Sequence, residues 1–219
     1  NGHLIGIFIV PPPVVLADFG MPYDLELAAH GRKRFEEEAA RVRKLFDEAT
    51  QGQSFVAEWR LVYSDHPDAN QVLLDHCRSV DVVVAGQSEP DRDVSPLFNA
   101  PHRIALESGR PVLIIPYAGR FDVIGERVMV AWNNRREATR AIFDALPLLQ
   151  TARDVHIMWV NPNKGEAKSS DLPTAEIATT LSRHGVKAVA THSISPEIDV
   201  GSEILARLAD QGADLLVIG

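Results

Sequence analysis

The residues best suited to binding chemistry fall at two kinds of place. Trp132, Asn133 and Asn134 follow one another after an apolar run, and Gly86 and Gly219 each close another. An indole face can stack on a planar base, and it can equally close the apolar top of a sheet. An asparagine amide donates and accepts, which suits a purine edge or a hydroxyl. The same residue type also makes the turn ahead of a helix, because its side chain caps free N–H groups. A glycine at a strand end lets backbone N–H groups approach a phosphate, or it simply turns the chain. Nothing comparable gathers for covalent or metal chemistry. The eight histidines are dispersed without a His-Glu-x-x-His pattern, and there is neither a Gly-x-Ser-x-Gly elbow nor a Walker loop. Cys77 is the one cysteine. It can form neither an internal disulfide nor a cysteine-based zinc site, and on the inward stripe of a helix it serves as a small core residue. No catalytic residue and no metal ligand is nominated.

Composition frames these positions. The 219 residues allow one large domain or two small ones. Apolar residues at 45% and charged residues at 24% are ordinary globular values. A net charge of −8, with a pI near 5.5, argues against a protein that grips nucleic-acid phosphates generally. The longest apolar stretch, Leu4 to Ala17, is too short to span a bilayer and is interrupted by Pro11, Pro12 and Pro13. No membrane partner is expected, and the single thiol fits a reducing, cytoplasmic setting. The sequence begins at Asn1 and stops in an apolar run at Gly219, so a longer intact protein is expected.

Short apolar runs alternate with helical patterns. Strands are expected at 4–10, 56–63, 80–85, 111–116, 127–132, 155–160, 186–194 and 215–218. Helices are expected over 24–50, from Pro67 through Cys77, and over 97–108, 135–150, 173–184 and 200–211. The first helix presents Phe35, Ala39, Val42, Phe46 and Ala49 along one face, with Glu37 and Arg41 as an i,i+4 pair on its wet side. Val72, Leu73, His76 and Cys77 form the inward stripe of the second. Ala138, Ile142, Ala145 and Leu149 line the fourth, which Pro147 must bend or shorten. Val200, Ile204 and Leu208 line the last. The runs Val82-Val83-Val84 and Leu215-Leu216-Val217 lack alternation, as strands buried on both faces do. Strands joined by crossover helices make parallel sheets covered on both sides, with right-handed connections. The fold class is therefore α/β, doubly wound.

The pattern also repeats. Residues 80–86, Val-Asp-Val-Val-Val-Ala-Gly, match residues 213–219, Ala-Asp-Leu-Leu-Val-Ile-Gly, at Asp81 with Asp214, Val84 with Val217 and Gly86 with Gly219. Each stretch follows a strand and a helix of similar length. A full unit would have five strands and four helices. The first copy lacks an opening strand and helix, and the second lacks a closing helix and strand.

This arrangement resembles the universal stress protein family in its tandem two-domain form. Val128 to Ala138 resembles the family's opening strand and turn into its first helix. Val80 to Gly86 and Ala213 to Gly219 resemble its fourth strand, and Pro111 to Pro116 its closing strand. The resemblance implies two Rossmann-like or flavodoxin-like units of the adenine nucleotide alpha hydrolase type. The first covers 1–118, the second 126–219, and 119–125 link them. It also implies that the units pack as an internal pseudo-dimer, while exposed strand edges leave a homodimer open.

Nucleotide-binding members hold ATP at the carboxyl ends of the strands, where any open α/β sheet places its ligand. In the second unit the resemblance puts Ala131, Trp132, Asn133, Val160, Asn161, Ile218 and Gly219 at that place. Asn133 stands where binding members commonly have an aspartate. Their phosphate loop runs Gly, two residues, Gly, nine residues, Gly, then Ser or Thr. After Gly86 the matching positions hold Glu89 and Asn99-Ala100, and Asp91 and Asp93 add further charge. Carboxylates there repel a triphosphate, so ATP is not expected in the first unit. The corresponding loop of the second unit lies beyond Gly219. The function implied is that of a cytoplasmic stress-response regulator that ATP or another adenine nucleotide biases between conformations. The alternatives are a scaffold or chaperone-like protein without nucleotide and, last for want of a visible base, a nucleotide-hydrolysing enzyme.

Overall fold

The computed structural model describes residues 2–12, 25–66, 68–88, 99–162 and 172–219. The chain divides into two compact units, Asn1–Tyr117 and Ala118–Gly219. Pro13, Pro67, Glu89, Asp91 and Asp93 lie outside the described residues.

The first unit runs β1 (His3–Val10), α1 (Leu25–Thr50), β2 (Val56–Tyr63), α2 (Ala69–Cys77), β3 (Val83–Gly86), α3 (Ala100–Glu107) and β4 (Val112–Ile115). β1 pairs with β2 and β3 with β4, each pair parallel, as two separate two-stranded sheets. One face of β1 and β2 lies under α1. There the rings of Phe46 and Trp59 meet at 5.5 Å between centroids, above Gly6. A Cβ on Gly6 would stand 2.8 Å from the Trp59 ring, so this close approach requires glycine. On the other face Ile9 packs with Leu73, Leu74, Cys77 and Ile104, joined by Ile7, Val62, Val83 and Val112.

Three local expectations shift. Arg41 pairs with Glu38, not Glu37, and Glu37 pairs with Lys33, because each glutamate has a second cation within one helical turn. The inward stripe of α2 turns toward Leu74, which is 1% exposed, while Val72 and His76 are only half-buried. A residue packed against β1 and α3 together must face both, and periodicity alone does not choose between adjacent stripes. Lastly, β3 begins at Val83, opposite the first residue of β4, and Val82 and Val84 are 51% and 59% exposed. Two-sided burial fails there because no described strand lies on the other side of β3.

The second unit runs β5 (Arg127–Ala131), α4 (Arg136–Asp144), α5 (Leu146–Leu149), β6 (Asp154–Val160), α6 (Leu172–Arg183), β7 (Ala188–Ser193), α7 (Val200–Gln211) and β8 (Leu215–Val217). Its four strands form one sheet in the order β7-β6-β5-β8, every pair parallel. Val128 and Val130 of β5 face Ala138, Ile142, Leu149, Ile177 and Leu181, while Met129 faces Met158 and Ile204 across the sheet. The expected helix over 135–150 breaks at Ala145, because Pro147 lacks the N–H that would continue the ladder. On α7, Ile204 is buried but Val200 is 50% exposed at the first position. Gly212 ends α7 at φ +57°, a left-handed conformation that favours glycine. The carboxylate of Asp214 then accepts N–H bonds from Gly125 at 2.7 Å, Glu126 at 3.1 Å and Arg127 at 3.2 Å. It ties the start of β5 to the start of β8.

Candidate functional site

Parallel strands end together, so the carboxyl ends of β5, β6 and β8 bring Ala131, Val160 and Val217 to one end of the second sheet. The chain leaves β5 toward β6 and β7 on one side and returns to β8 on the other. That reversal of strand order beside β5 is where open α/β sheets take their ligands.

The loop after β5 is built by asparagine chemistry. Asn133 Oδ1 accepts the N–H of Arg135 at 3.0 Å, and Asn134 takes the left-handed conformation at φ +57°. This turn starts α4 with Arg135 and Arg136 at its N-terminus, where the helix dipole favours an anion. Glu137 follows in the first turn. Its own backbone N–H and then Arg136 hold its carboxyl below the usual range. Asn133 is exposed at this end of the sheet. Trp132 is not exposed: the residue is 6% accessible and packs in one cluster with Val130, Ala138, Ile142 and Val217. Its Nε1 is buried with no hydrogen-bond partner among the described residues. Of the two parts open to the indole, the one it takes in this structure is that of core closure.

The β8 side brings Ile218 and Gly219. Ile218 is 59% exposed, and a Cβ on Gly219 would collide with the carbonyl of Glu137. Gly219 therefore runs against the first turn of α4, on the same side as Asn133. Val160 is 8% exposed and packs with Met129, Met158 and Ile204. Asn161, left-handed at φ +49°, turns toward the loop after β7. Its amide nitrogen donates to Ser195 O at 3.0 Å, and its Oδ1 accepts the Ser195 N–H at 2.6 Å. Gly219 thus lies against the first turn of α4, and both polar ends of Asn161 are spent on the β7 loop.

Beyond that clip lies a polar cluster that sequence reasoning missed. Glu203, 4% exposed, accepts from the Ser193 hydroxyl at 2.5 Å and from Arg207 Nε at 2.9 Å. The Ser193 hydroxyl, then Arg207, holds its carboxyl below the ordinary value of 4.5. The Glu203–Arg207 spacing of four was the available signal. It also marks any solvent-exposed helical pair, so it could not single out a buried carboxylate. The groups of the cluster satisfy one another, and it stiffens the β7 end. Among the described residues no group of three or more histidine, cysteine, aspartate or glutamate side chains could hold a metal ion. No helix among them is long and apolar enough to cross a membrane.

These features define a Rossmann-like α/β fold with parallel sheets. No family model matches the chain, and no curated protein matches it either. Among solved structures, the crystal structure of a universal stress protein from Archaeoglobus fulgidus DSM 4304 superposes with a TM-score of 0.72 at 16% sequence identity. The match covers 99% of this chain and 74% of that one. The chain has the fold of a universal stress protein.

Proposed function

We propose that this chain is a regulator of the universal stress protein type, built from two tandem units. Its second unit takes an adenine nucleotide across the ends of β5 and β8. The observation that carries the reading is the reversal of strand order beside β5, with Gly219 drawn against the first turn of α4. Asn133 would meet the base or a ribose hydroxyl. The N-terminus of α4, with Arg135 and Arg136, would favour the phosphates. In this reading the first unit lacks its opening strand and helix, the second lacks its closing helix and strand, and only the second binds nucleotide. Action would come from ligand-biased conformation in the cytoplasm, not from turnover.

Calorimetric titration of the intact polypeptide with ATP tests the site. One nucleotide per chain, with a rise in melting temperature, is the expected result. Asn133→Ala should weaken binding about tenfold, the equivalent of one lost hydrogen bond of about 1.4 kcal/mol. No heat and no thermal shift at millimolar ATP would refute it. A second reading draws on Trp132 and Asn161, whose ring and amide are already committed to packing and to Ser195. In that reading the strand ends are structural and the protein is an interaction scaffold, and a silent titration favours it.

A further inference from the structure

β7 ends the second sheet, and among the described residues no strand lies beyond it. Sheet edges are normally kept from pairing by charge, proline or shortness. In the first unit, β4 is four residues long and fenced by Pro111 and Pro116, and β2 carries Glu58 and Arg60. β7 has six residues, Ala-Val-Ala-Thr-His-Ser, with no proline, carboxylate, lysine or arginine. Asn161 N–H donates to Ser193 O at 2.8 Å, so Ser193 turns its backbone toward β6. In a parallel ladder both backbone groups of a residue turn to one neighbour and the next residue's turn the other way. The N–H and C=O groups of Ala188, Ala190 and His192 therefore point outward along the open edge.

The helix beside this edge leaves room for a close neighbour. α6 buries Ile177 and Leu181 against the sheet. His184, just past its end, meets the ring of Phe143 at 5.9 Å, and its carbonyl accepts Gln150 Nε2 at 2.9 Å. These contacts fix the flank of α6 that faces α4 and α5. Ala175, Thr179 and Ser182, spaced by four and three, share the opposite flank, on the side of the open edge, and all are exposed. The Thr179 hydroxyl is spent on Ala175 O at 2.8 Å, so this flank presents small groups and no long side chain. On the other face of the sheet Val189 is 57% exposed.

Charge sets the occupant and its direction. Arg183 and Lys187 stand ahead of β7, Glu197 and Asp199 follow it, and all four are exposed. Antiparallel pairing of one β7 with another sets each basic start beside the other's acidic end, whereas parallel pairing sets like beside like. We infer that two copies of this chain pair edge to edge through β7, antiparallel about a two-fold axis at Ala190. The same patch serves on both copies, as two-fold contact requires. Ala190 meets Ala190, and Ala188 of each copy meets His192 of the other. Each of these pairs exchanges two backbone bonds, about six in all. Val189 of one copy stands opposite Thr191 of the other, in the closer kind of cross-strand pair, which covers its exposed side. The small flanks of the two α6 helices then run side by side above the joined strands. The inference needs neither nucleotide binding nor the tandem reading.

Sedimentation velocity of the protein at high micromolar concentration should give the mass of a dimer. Ala190→Pro removes the central outward N–H and spares the β6 ladder, a place where an edge strand tolerates proline. It should give a monomer with an unchanged far-UV circular dichroism spectrum. Lys187→Glu should weaken the dimer about tenfold, and Glu197→Lys added to it should restore the affinity. Under a mild thiol oxidant Ala190→Cys should cross-link two copies, because residues so paired lie about 5.5 Å apart at Cα. Val189→Cys, offset by two positions from its counterpart, should not. A parent that stays monomeric overturns the pairing. A folded Ala190→Pro variant that stays dimeric overturns the β7 edge. Should that variant not fold, the cross-links decide: bridging at 189 and not at 190 overturns the two-fold at Ala190, and bridging at neither overturns the edge.

Discussion

Asp214→Ala in residues 1–219 should destabilise the second unit substantially, while Asp81→Ala in the same chain should do almost nothing. Asp214 accepts bonds at 2.7, 3.1 and 3.2 Å from three consecutive N–H groups, and they join the first residues of β5 to the start of β8. A hydrogen bond is worth about 0.5–1.5 kcal/mol net, and more when the acceptor is charged. Asp214 is exposed, so water replaces part of what is lost, and the low end of that range applies. Three bonds then amount to about 2 kcal/mol, which for a unit of this size lowers the melting temperature by about 10 °C. The measurement is a urea titration in a Trp59→Phe background, where fluorescence comes from Trp132 and Trp159, both in the second unit. The midpoint should fall by about 1 M without a change in slope. Asp81→Ala, followed by far-UV circular dichroism, should stay within about 0.5 kcal/mol of the parent, as surface substitutions without partners do. Equal shifts for the two variants would refute the reasoning, because they would show that the contacts of Asp214 carry no weight.

Other outcomes follow from the same structure. Ile142→Ala empties a fully buried position between α4 and the sheet and should cost about 2–5 kcal/mol, read as a lower urea midpoint. Gly6→Ala drives a methyl group into the Phe46–Trp59 pair and should cost about 1–3 kcal/mol, with a changed Trp59 emission. The carboxyl of Glu203 titrates below 4.5, so its contribution to stability is complete above that pH and is lost as pH falls through the lowered value. Glu203→Gln should therefore flatten the acid side of the stability–pH curve and leave the neutral side parallel to the parent. Burial pushes the Cys77 thiol up. A thiol reagent should leave it unmodified in the folded protein at pH 7 and label it fully in urea.

Much of the fold was legible because it follows from local rules. Apolar runs of strand length alternate with patterns of helical period, and the parallel α/β class follows from that alternation. Gly212 and Pro147 place a helix end and a helix break through backbone geometry that depends on no neighbour. The site was legible in part. Asn133 and Asn134 make the turn that their residue type implies, and Gly219 sits where a side chain has no room. What the sequence left open at Trp132 and Asn161 was orientation. An indole after a strand can face a crevice or a core, and an asparagine can face a ligand or the next loop. The apolar cluster around Ala138 and Ile142, and the backbone of Ser195, decided each case.

Period and residue type alone therefore determined which segments are strands and which are helices, while several boundaries, such as the start of β3 at Val83, shifted. Only the tertiary structure decided that Val217 is covered and Val84 is open, that Leu74 is more deeply buried than Val72, and that Asp214 accepts three backbone N–H groups. The reason is physical. A residue's conformational preference acts along the chain over a few positions. Its burial and its hydrogen-bond partners are set by whichever segment lies beside it, and that segment can be 89 residues away, as Gly125 is from Asp214.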